Sequence, residues 1–267
     1  MTAPATGERD GRISVRREGA VATVVLDRPD KLNALNQAMW AALATVMRQI
    51  GEDAAIRCVI LRGAGEKAMG PGADIGEFSD TRSNAEQATR YGAVMHAAMH
   101  GIRDCPHPVI AQIHGLCVGG ALELALMCDI RICGRSSRFG IPVNRLGLVM
   151  AYPEIEALIG LVGRSTALEI LYEARVFDAA EAKDKGLVNR VVDDDQVAAE
   201  VAAAAQRIVD GAPLVNRWHK KFANKIAGGG RRTPEEEAEG FACFDTEDFR
   251  VGYQAFLEKE KPTFKGE

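Results

Sequence analysis

One carboxylate lies beside two adjacent glycines in an otherwise apolar part of the chain. Between Gly115 and Cys128 the only residue with a formal charge is Glu123, which follows Gly119 and Gly120. A carboxylate in apolar surroundings must be desolvated or paired, and desolvation raises its pKa. A carboxyl group of this kind can transfer protons near neutral pH. This stretch therefore predicts proton-transfer chemistry at Glu123.

Two backbone N–H groups complete a candidate site. The glycines stand where a strand-like run, residues 108–114, turns into an apolar helix, and the start of a helix has unpaired N–H groups. A second loop, residues 64–75, also follows a predicted strand, and ligands of α/β folds gather beyond the carboxyl ends of strands. If the two loops converge, the amides of Ala73 and Gly120 form a pair of donors for one carbonyl oxygen. Each such donor stabilises developing negative charge by on the order of 3 kcal/mol.

Each of these residues also has a purely structural interpretation. The glycines fit tight turns that bind nothing. Glu123 fits a structural carboxylate bonded to a turn, although a charge inside an apolar helix is costly unless it is paired. The residues alone leave both interpretations open.

Nucleotide and metal chemistry fit the chain poorly. The glycines at positions 115, 119 and 120 do not follow the G-x-G-x-x-G pattern of dinucleotide loops, and no P-loop pattern is present. His96 and His100 are four residues apart on a predicted helix, but no third ligand is near in sequence, so we expect no metal site. The six cysteines form no C-x-x-C pair and fall in apolar patterns, which predicts plain core thiols.

Composition is that of an ordinary globular protein. The chain has 267 residues, of which 47% are hydrophobic and 26% charged, and its net charge of −4 gives no footprint for nucleic acid. Residues 1–12 are polar, so we expect no signal peptide. No apolar run approaches the roughly 18 residues that a membrane span requires. These features predict a cytoplasmic protein that binds neither membrane nor nucleic acid.

Strands and helices alternate through the first half of the chain, which indicates an α/β fold with a largely parallel sheet. A hairpin turn is expected at residues 18–19, and Asn36 is expected to cap the first helix. The predicted strands are residues 13–17, 21–26, 57–62, 108–114 and 130–133, and helices are predicted after Asn36, over residues 84–103 and after Gly120.

Beyond residue 138 the pattern is mostly helical, with one edge strand at residues 187–192. The predicted helices are residues 154–161, 165–173, 179–185, 196–210 and 213–226, and a further one begins near Thr233. The last helix carries an apolar stripe at Phe249, Tyr253, Phe256 and Leu257. A terminal segment this small has little of its own to bury against. The stripe is therefore either core or a surface for docking or subunit contact.

From about residue 13 to residue 264 the chain resembles the enoyl-CoA hydratase/isomerase (crotonase) superfamily. Residues 28–35 look like the family's early CoA-contacting segment. Residues 67–75 are similar to its first oxyanion-hole motif, which places one donor on Ala73. Residues 114–130 resemble the second motif, which places the other donor on Gly120 and the first catalytic glutamate on Glu123. In this order and at these separations the motifs are highly specific.

The resemblance implies an α/β, crotonase-like spiral of ββα units. It implies a core over residues 12–200 for binding and catalysis of CoA thioesters, followed by a helical C-terminal oligomerisation region over residues 201–267. Family members form trimers, commonly paired into hexamers. CoA contacts are expected at Lys31, Ala34, Lys67, Ala73, Asp74 and Ile75, and at Phe256 and Lys259, which resemble a tail lent to a neighbouring subunit. CoA enters as part of the substrate, with no other cofactor.

One position departs from the family pattern. Residues 139–147 resemble the segment that carries the second catalytic glutamate of hydratases, and that glutamate falls on Val143. Hydration holds water between two carboxylates, and valine can neither take nor give a proton. Glu123 therefore acts alone or with help from Tyr152 or Glu154. By itself, Glu154 fits a solvated acid in the first turn of a helix.

The departure leaves other reactions of the family open. Isomerases of the family commonly place their base at the position that Val143 occupies, which weakens that alternative. Methylmalonyl-CoA decarboxylases also lack the second glutamate, but their histidine and tyrosine fall on Asp74 and Met150, and neither matches. A weakly active acyl-CoA-binding oligomer is the non-enzyme alternative. We favour an enoyl-CoA hydratase-like enzyme that stabilises an enolate in an oxyanion hole.

Overall fold

The strands of this protein enter two different sheets in turn. The computed structural model describes residues 11–267, and within these residues ten strands form a six-stranded sheet in the order β1-β2-β3-β5-β7-β10 and a four-stranded sheet in the order β4-β6-β8-β9. The strands are β1 (Arg12–Glu18), β2 (Val21–Asp27), β3 (Cys58–Gly63), β4 (Ala68–Gly70), β5 (Val109–Ile113), β6 (Leu116–Val118), β7 (Ile130–Gly134), β8 (Arg138–Gly140), β9 (Phe177–Asp178) and β10 (Arg190–Val192).

Helices follow pairs of strands. The helices of the described residues are α1 (Gln37–Glu52), α2 (Phe78–Thr81), α3 (Ala85–Arg103), α4 (Gly120–Leu126), α5 (Tyr152–Glu173), α6 (Ala179–Asp184), α7 (Val197–Val209), α8 (Pro213–Ala227), α9 (Pro234–Ala238) and α10 (Glu247–Glu258). The units β1-β2-α1, β5-β6-α4 and β7-β8-α5 repeat the ββα pattern, and β3 and β4 are followed by α2 and α3. This arrangement confirms the α/β, crotonase-like spiral of ββα units.

The large sheet is covered on both faces, which explains its nearly continuous apolar strands. Along β3, Val59 and Leu61 join the main core, whereas Cys58 and Ile60 face a second cluster against α7. Alternate residues of a strand point to opposite faces, so one strand contributes to both clusters. Strands β3, β5 and β7 are neighbours and run parallel, so their carboxyl ends meet at one edge of the sheet.

Helix α1 forms as its sequence predicts. The side chain of Asn36 accepts a hydrogen bond of 2.8 Å from the amide of Met39, which satisfies one free donor of the first turn. The residues that α1 buries are Met39, Trp40, Leu43, Met47 and Ile50, and Val46 is only partly buried. The hairpin, β3, α3, β5 and β7 are likewise confirmed within one or two residues of the predicted bounds.

Four short strands escaped the sequence patterns: β9, which has two residues, and three further strands. β4 lies inside the predicted loop of residues 64–75, β6 lies inside the predicted glycine-rich turn, and β8 follows β7 after a short turn. Each has three residues, too few to show an alternating pattern. The two helices predicted at residues 154–161 and 165–173 are one helix, α5, which is interrupted at Gly163 (φ 75°, ψ 161°).

The C-terminal third is helical, as expected, but the sheet-packing part extends further than residue 200. The predicted boundary between residues 200 and 201 falls inside α7, and Val201, Ala204 and Ala205 on this helix are buried against the large sheet. The helical region that follows, α8 to α10, is attached to the core through α8, where the buried Lys220 donates to Asp129 and to the carbonyl oxygens of Ile102 and His107. Its role in oligomerisation stays a prediction.

The terminal aromatic stripe is exposed in the single chain. Phe249, Tyr253, Phe256 and Leu257 on α10 have exposed fractions of 40%, 58%, 81% and 62%. Docking or subunit contact thus accounts for the stripe better than core packing does.

All six cysteines are free, and five are buried, as the apolar patterns predict. No helix in residues 11–267 is both long and apolar enough to cross a membrane. The polar segment on which the absence of a signal peptide was predicted lies mostly outside the described residues.

We expect a Gly115→Ala variant to be much less stable than a Gly19→Ala variant. Both glycines have a left-handed backbone (φ +55° and +57°), which costs an alanine about 1 kcal/mol. At Gly115 the added Cβ would lie 2.0 Å from the carbonyl oxygen of Lys67, whereas at Gly19 nothing lies within 4 Å. The overlap adds about 2 kcal/mol or more to the loss in the free energy of unfolding.

Urea unfolding of both variants beside the wild type measures the difference. Equal losses for the two variants would contradict the close approach of residues 67 and 115.

Candidate active site

Two loops from different strands meet at the candidate site. The first follows β4 and contains Gly72 and Ala73, and the second joins β6 to α4 through Gly119 and Gly120. A Cβ added to Gly72 would lie 3.0 Å from the amide nitrogen of Gly120, and one added to Gly120 would lie 3.5 Å from the amide nitrogen of Ala73. The expectation that the two loops converge is confirmed.

The backbone leaves the two expected donors available. Leu35 bonds to the residues on either side of Ala73: its amide donates to Gly72 and its carbonyl accepts from Asp74, at 2.9 and 2.8 Å. Gly120 opens α4, where an N–H has no carbonyl one turn earlier to bond. Within the described part of the chain, no backbone carbonyl accepts a hydrogen bond from the amide of Ala73 or of Gly120.

Side chains hold the first loop in place. Arg28 forms a partly buried ion pair with Asp74, with Nη1 and Oδ2 2.7 Å apart. The hydrogen bond from Arg28 holds the pKa of Asp74 below its usual value. Asn33 is buried and donates to the carbonyl oxygens of Ala64 and Ala68 at 3.1 and 2.8 Å. Residues 28–35 therefore fix the position of the loop that carries Ala73.

A cavity of about 750 Å³ opens beside the two amides. It is mostly apolar, and one face of α3 contributes small side chains to its wall. The residues that line it include Ala73, Arg82, His96, Gly120, Glu123, Val143 and Glu154. A mostly apolar cavity with a few convergent polar groups is typical of a small-molecule site.

Glu123 lies in the first turn of α4 and faces this cavity. Its side chain is surrounded by apolar residues, and burial is the main cause that raises its pKa to about 8. The charge of Glu154 raises the pKa further, and the charge of Arg82 opposes the rise. The raised pKa predicted from the sequence is confirmed, and the group can exchange protons near neutral pH.

Glu154 is not a solvated acid, contrary to the interpretation that its sequence context favoured. It is 1% exposed and lines the cavity. Its Oε1 lies 3.0 Å from Nε2 of His96 on α3, and its Oε2 has no hydrogen-bond partner. The first turn of α5 faces inward here, because α5 packs against α4. Position in a helix did not reveal which side the acid would face.

The structure separates the two auxiliary residues that the sequence suggested. Tyr152 is 90% exposed and does not line the cavity, so it cannot assist Glu123 within this chain. Val143, at the family's second glutamate position, does line the cavity and supplies only an apolar surface. A second carboxyl group is therefore present in the cavity, but it comes from Glu154 on α5.

Of the predicted CoA contacts, Ala73 and Ile75 line the cavity, and Ile75 is 56% exposed. Ala34 is buried, while Lys31 and Lys67 are exposed. Asp74 is engaged by Arg28, so its side chain serves the loop. Phe256 and Lys259 lie at the exposed end of α10 and do not line the cavity of their own chain. Their contact with CoA stays a prediction.

Two cavity residues, His96 and Arg82, were not predicted to belong to the site. His96 was considered only as a metal ligand paired with His100. The helical period places His96 on the same face of α3 as Ala85, Ala88 and Gly92, and a polar residue on such a small-residue face is the signal that could have identified it. Nothing in the sequence around Arg82 distinguishes it from a surface arginine.

The raised pKa of Glu123 predicts a pH-dependent stability. The folded protein keeps the proton of Glu123 up to about pH 8, whereas the unfolded chain loses it near the ordinary carboxyl pKa of 4.5. Stability contributed by this group therefore falls as pH rises between these values and is constant above them. Relative to wild type, Glu123→Gln should become more stable across this window, by at most about 1.4 kcal/mol per pH unit.

Urea unfolding of wild type and Glu123→Gln between pH 5 and 9 tests this. A stability difference that does not change with pH would show that Glu123 has an ordinary pKa.

Comparison with known proteins agrees with the geometry. The family model described as enoyl-CoA hydratase/isomerase matches residues 16–267. The short-chain-enoyl-CoA hydratase of Clostridium acetobutylicum is 34% identical over 252 residues, which covers 93% of this chain and 95% of that protein. The crotonyl-CoA hydratase of Syntrophomonas wolfei is also 34% identical, over 254 residues, with 94% and 97% covered.

A solved structure with a similar fold is an enoyl-CoA hydratase/carnithine racemase from Magnetospirillum magneticum. Its TM-score is 0.94 at 52% sequence identity, and the match covers 96% of each chain. An enoyl-CoA hydratase from Bacillus anthracis has a TM-score of 0.87 at 33% identity, covering 96% of this chain and 99% of that one. Together with the match over residues 16–267, these relationships show that the chain belongs to the enoyl-CoA hydratase/isomerase family.

Proposed function

We propose that this protein adds water to the double bond of a 2-enoyl-CoA thioester. The observation that carries the proposal is that two carboxyl groups, Glu123 and Glu154, line one cavity beside the free amides of Ala73 and Gly120. The two relatives named as short-chain-enoyl-CoA and crotonyl-CoA hydratases support hydration as the reaction and a short acyl chain as the substrate.

The two amides bind the thioester oxygen. When the oxygen of water attacks C3 of the substrate, electrons move through the double bond to the thioester oxygen, which becomes an enolate oxygen. The N–H groups of Ala73 and Gly120 would donate to this oxygen, and they favour the enolate over the neutral carbonyl. Because both amides belong to a fixed backbone, they need no rearrangement as the charge develops.

The two carboxyl groups transfer the protons. Addition of water requires one proton to leave the attacking water and one to be added at C2. Burial and the charge of Glu154 raise the pKa of Glu123 to about 8, so Glu123 can hold a proton at neutral pH, and Glu154 is the second carboxyl group for the other proton transfer. Glu154 thus takes the role of the family's second glutamate, which would otherwise stand at position 143.

His96 positions Glu154 in this scheme. Glu154 is almost fully buried, and His96 is the one side chain of the described residues that bonds to it. The bond leaves Oε2 free to face a ligand in the cavity. A side chain with one fixed oxygen and one free oxygen is suited to directing a proton.

Three further features belong to this proposal. CoA is expected to enter only as part of the substrate, and the reaction needs no other cofactor because the enolate is held by backbone amides. Assembly into a trimer or a dimer of trimers is proposed from the resemblance to the family, and the exposed aromatic stripe on α10 offers a surface for subunit contact. The cytoplasmic location stays a prediction from the sequence.

Replacement of either carboxyl group should stop hydration. We expect Glu123→Gln and Glu154→Gln each to lower kcat for crotonyl-CoA by about 100-fold or more, because a positioned acid or base contributes roughly 10²–10⁴. Formation of the 3-hydroxy product, followed by loss of absorbance of the conjugated thioester, gives the measurement.

Glu156→Gln is the matched control, since Glu156 lies on the same helix, is exposed and does not line the cavity. Tyr152→Phe should also be active. Hydration that survives in Glu154→Gln would assign the second proton transfer elsewhere, and binding of CoA thioesters without any turnover would favour the non-enzyme alternative.

Substitution of His96 should lower kcat more than it alters KM. His96→Leu removes the partner of Glu154, and we expect kcat to fall by about tenfold or more, since a buried carboxylate then loses a charge-assisted bond. His96→Gln places an amide nitrogen near the lost Nε2 and should restore part of the rate. His100→Gln is the control, because His100 stacks on His96 but does not line the cavity. No rescue by glutamine would argue against positioning.

A further inference from the structure

The cavity carries one permanent positive charge that the proposed reaction does not use. Among the described residues that line the cavity, Arg82 is the only lysine or arginine. It follows α2 directly, and its side chain is partly buried. An arginine keeps its charge at every physiological pH, so its place in a mostly apolar wall calls for a physical reason.

Two aromatic rings hold the guanidinium in place. The Cζ atom of Arg82 lies 4.7 Å from the centre of the Phe78 ring and 4.7 Å from the centre of the Tyr91 ring. Tyr91 is 1% exposed, so one side of this clamp belongs to the core. A guanidinium fixed by its faces has its N–H donors directed outward around its edge, where they can reach an anion.

No acidic side chain occupies those donors. In residues 11–267, every ion pair within 4.0 Å involves cations other than Arg82, and no hydrogen bond from its guanidinium is formed. Arg90, one turn into α3, is different, because it pairs with Glu86 at the surface. Arg82 therefore has no direct acidic partner among the described residues, although its charge acts on Glu123 across the cavity and lowers the pKa of that group.

The wall between Arg82 and the catalytic carboxyls has room for an acyl chain. The face of α3 that lines the cavity runs from Ala85 to His96, a rise of about 16 Å at 1.5 Å per residue. Between these ends the cavity is lined by the small residues Ala88, Thr89, Gly92 and Ala93, and the larger Met95 lies next to His96. Arg82 lies next to the Ala85 end, and Glu154 lies at the His96 end.

We propose that the acyl part of the cavity accepts thioesters whose chain carries a terminal carboxylate, and that Arg82 binds this carboxylate. The inference rests on the proposed function, because it takes the same cavity as the acyl site. A guanidinium and a carboxylate form paired N–H···O bonds, which makes the interaction both strong and directional. A neutral chain of equal length would leave the donors of Arg82 unpaired beside apolar atoms, and that is unfavourable.

Binding of saturated thioesters tests this without turnover. Calorimetry would compare adipoyl-CoA with hexanoyl-CoA and suberoyl-CoA with octanoyl-CoA, each pair being matched in chain length and differing in the terminal carboxylate. Wild type should bind the carboxylate member more tightly at one length or both, by about tenfold or more. Arg82→Met should remove this preference, and Arg82→Lys should keep part of it.

The ratio within a pair isolates the carboxylate. Both members carry the same CoA, so a contact between Arg82 and a CoA phosphate cancels, as does any effect of Arg82 on Glu123. Arg90→Met is the matched control, since it removes an arginine of the same region that does not line the cavity, and the preference should survive it.

Two results would overturn the inference: a wild type that does not prefer the carboxylate member at either length, or a preference that Arg82→Met leaves unchanged. Turnover is measured in a separate assay. Its substrates are crotonyl-CoA and the CoA thioester of the same four-carbon unsaturated chain with a terminal carboxylate. Preference in binding without hydration of any thioester would refute the hydratase proposal and leave the Arg82 site standing. Hydration of crotonyl-CoA without the binding preference would support the hydratase proposal and refute the Arg82 site.

Discussion

The approach of two loops at Gly72 and Gly120 is the constraint on which the rest of the site depends. A methyl group on Gly72 would lie 3.0 Å from the amide nitrogen of Gly120, so the amides can come together only because side chains are absent. Leu35, Arg28 and Asn33 then fix the first loop through backbone and side-chain bonds. The second loop is fixed where the amide of Gly119 donates to Gly140. In the proposed reaction, charge developing on a substrate oxygen would meet donors that are already in position.

The same contact determines where the acid must be. Glu123 is in the first turn after Gly120, so α4 carries it to the cavity wall and into apolar surroundings that raise its pKa. The proposed hydration requires a second carboxyl group, and the candidate for it comes from another element. Val143 occupies the family's position, while α5, packed against α4, brings Glu154 to the same cavity with His96 behind it. The proposed reaction requires particular chemical groups beside the substrate. It does not require that these groups come from particular positions in the chain.

Much of this could be predicted from the sequence, and the exceptions have physical causes. The apolar runs of β2 and β3, the cap at Asn36 and the glycines before Glu123 are local signals, and each predicted the structural element that is found there. Strands of three residues carry no periodicity, so β4, β6 and β8 were not found. The inward direction of Glu154 depends on how α5 packs, and the isolation of Arg82 depends on which side chains do not reach it. Such properties are set by tertiary contacts and leave no local pattern.

A crystal structure with a bound, unreactive thioester, such as acetoacetyl-CoA, is the most direct test of the central claim. The claim is that one thioester is held by two backbone amides and flanked by two carboxyl groups from α4 and α5. The thioester oxygen should lie about 2.7–3.1 Å from the nitrogens of Ala73 and Gly120, with Glu123 and Glu154 both facing the acyl carbons next to the thioester. A thioester oxygen bound elsewhere, or an acyl chain that contacts Glu123 while Glu154 faces away from it, would contradict the claim.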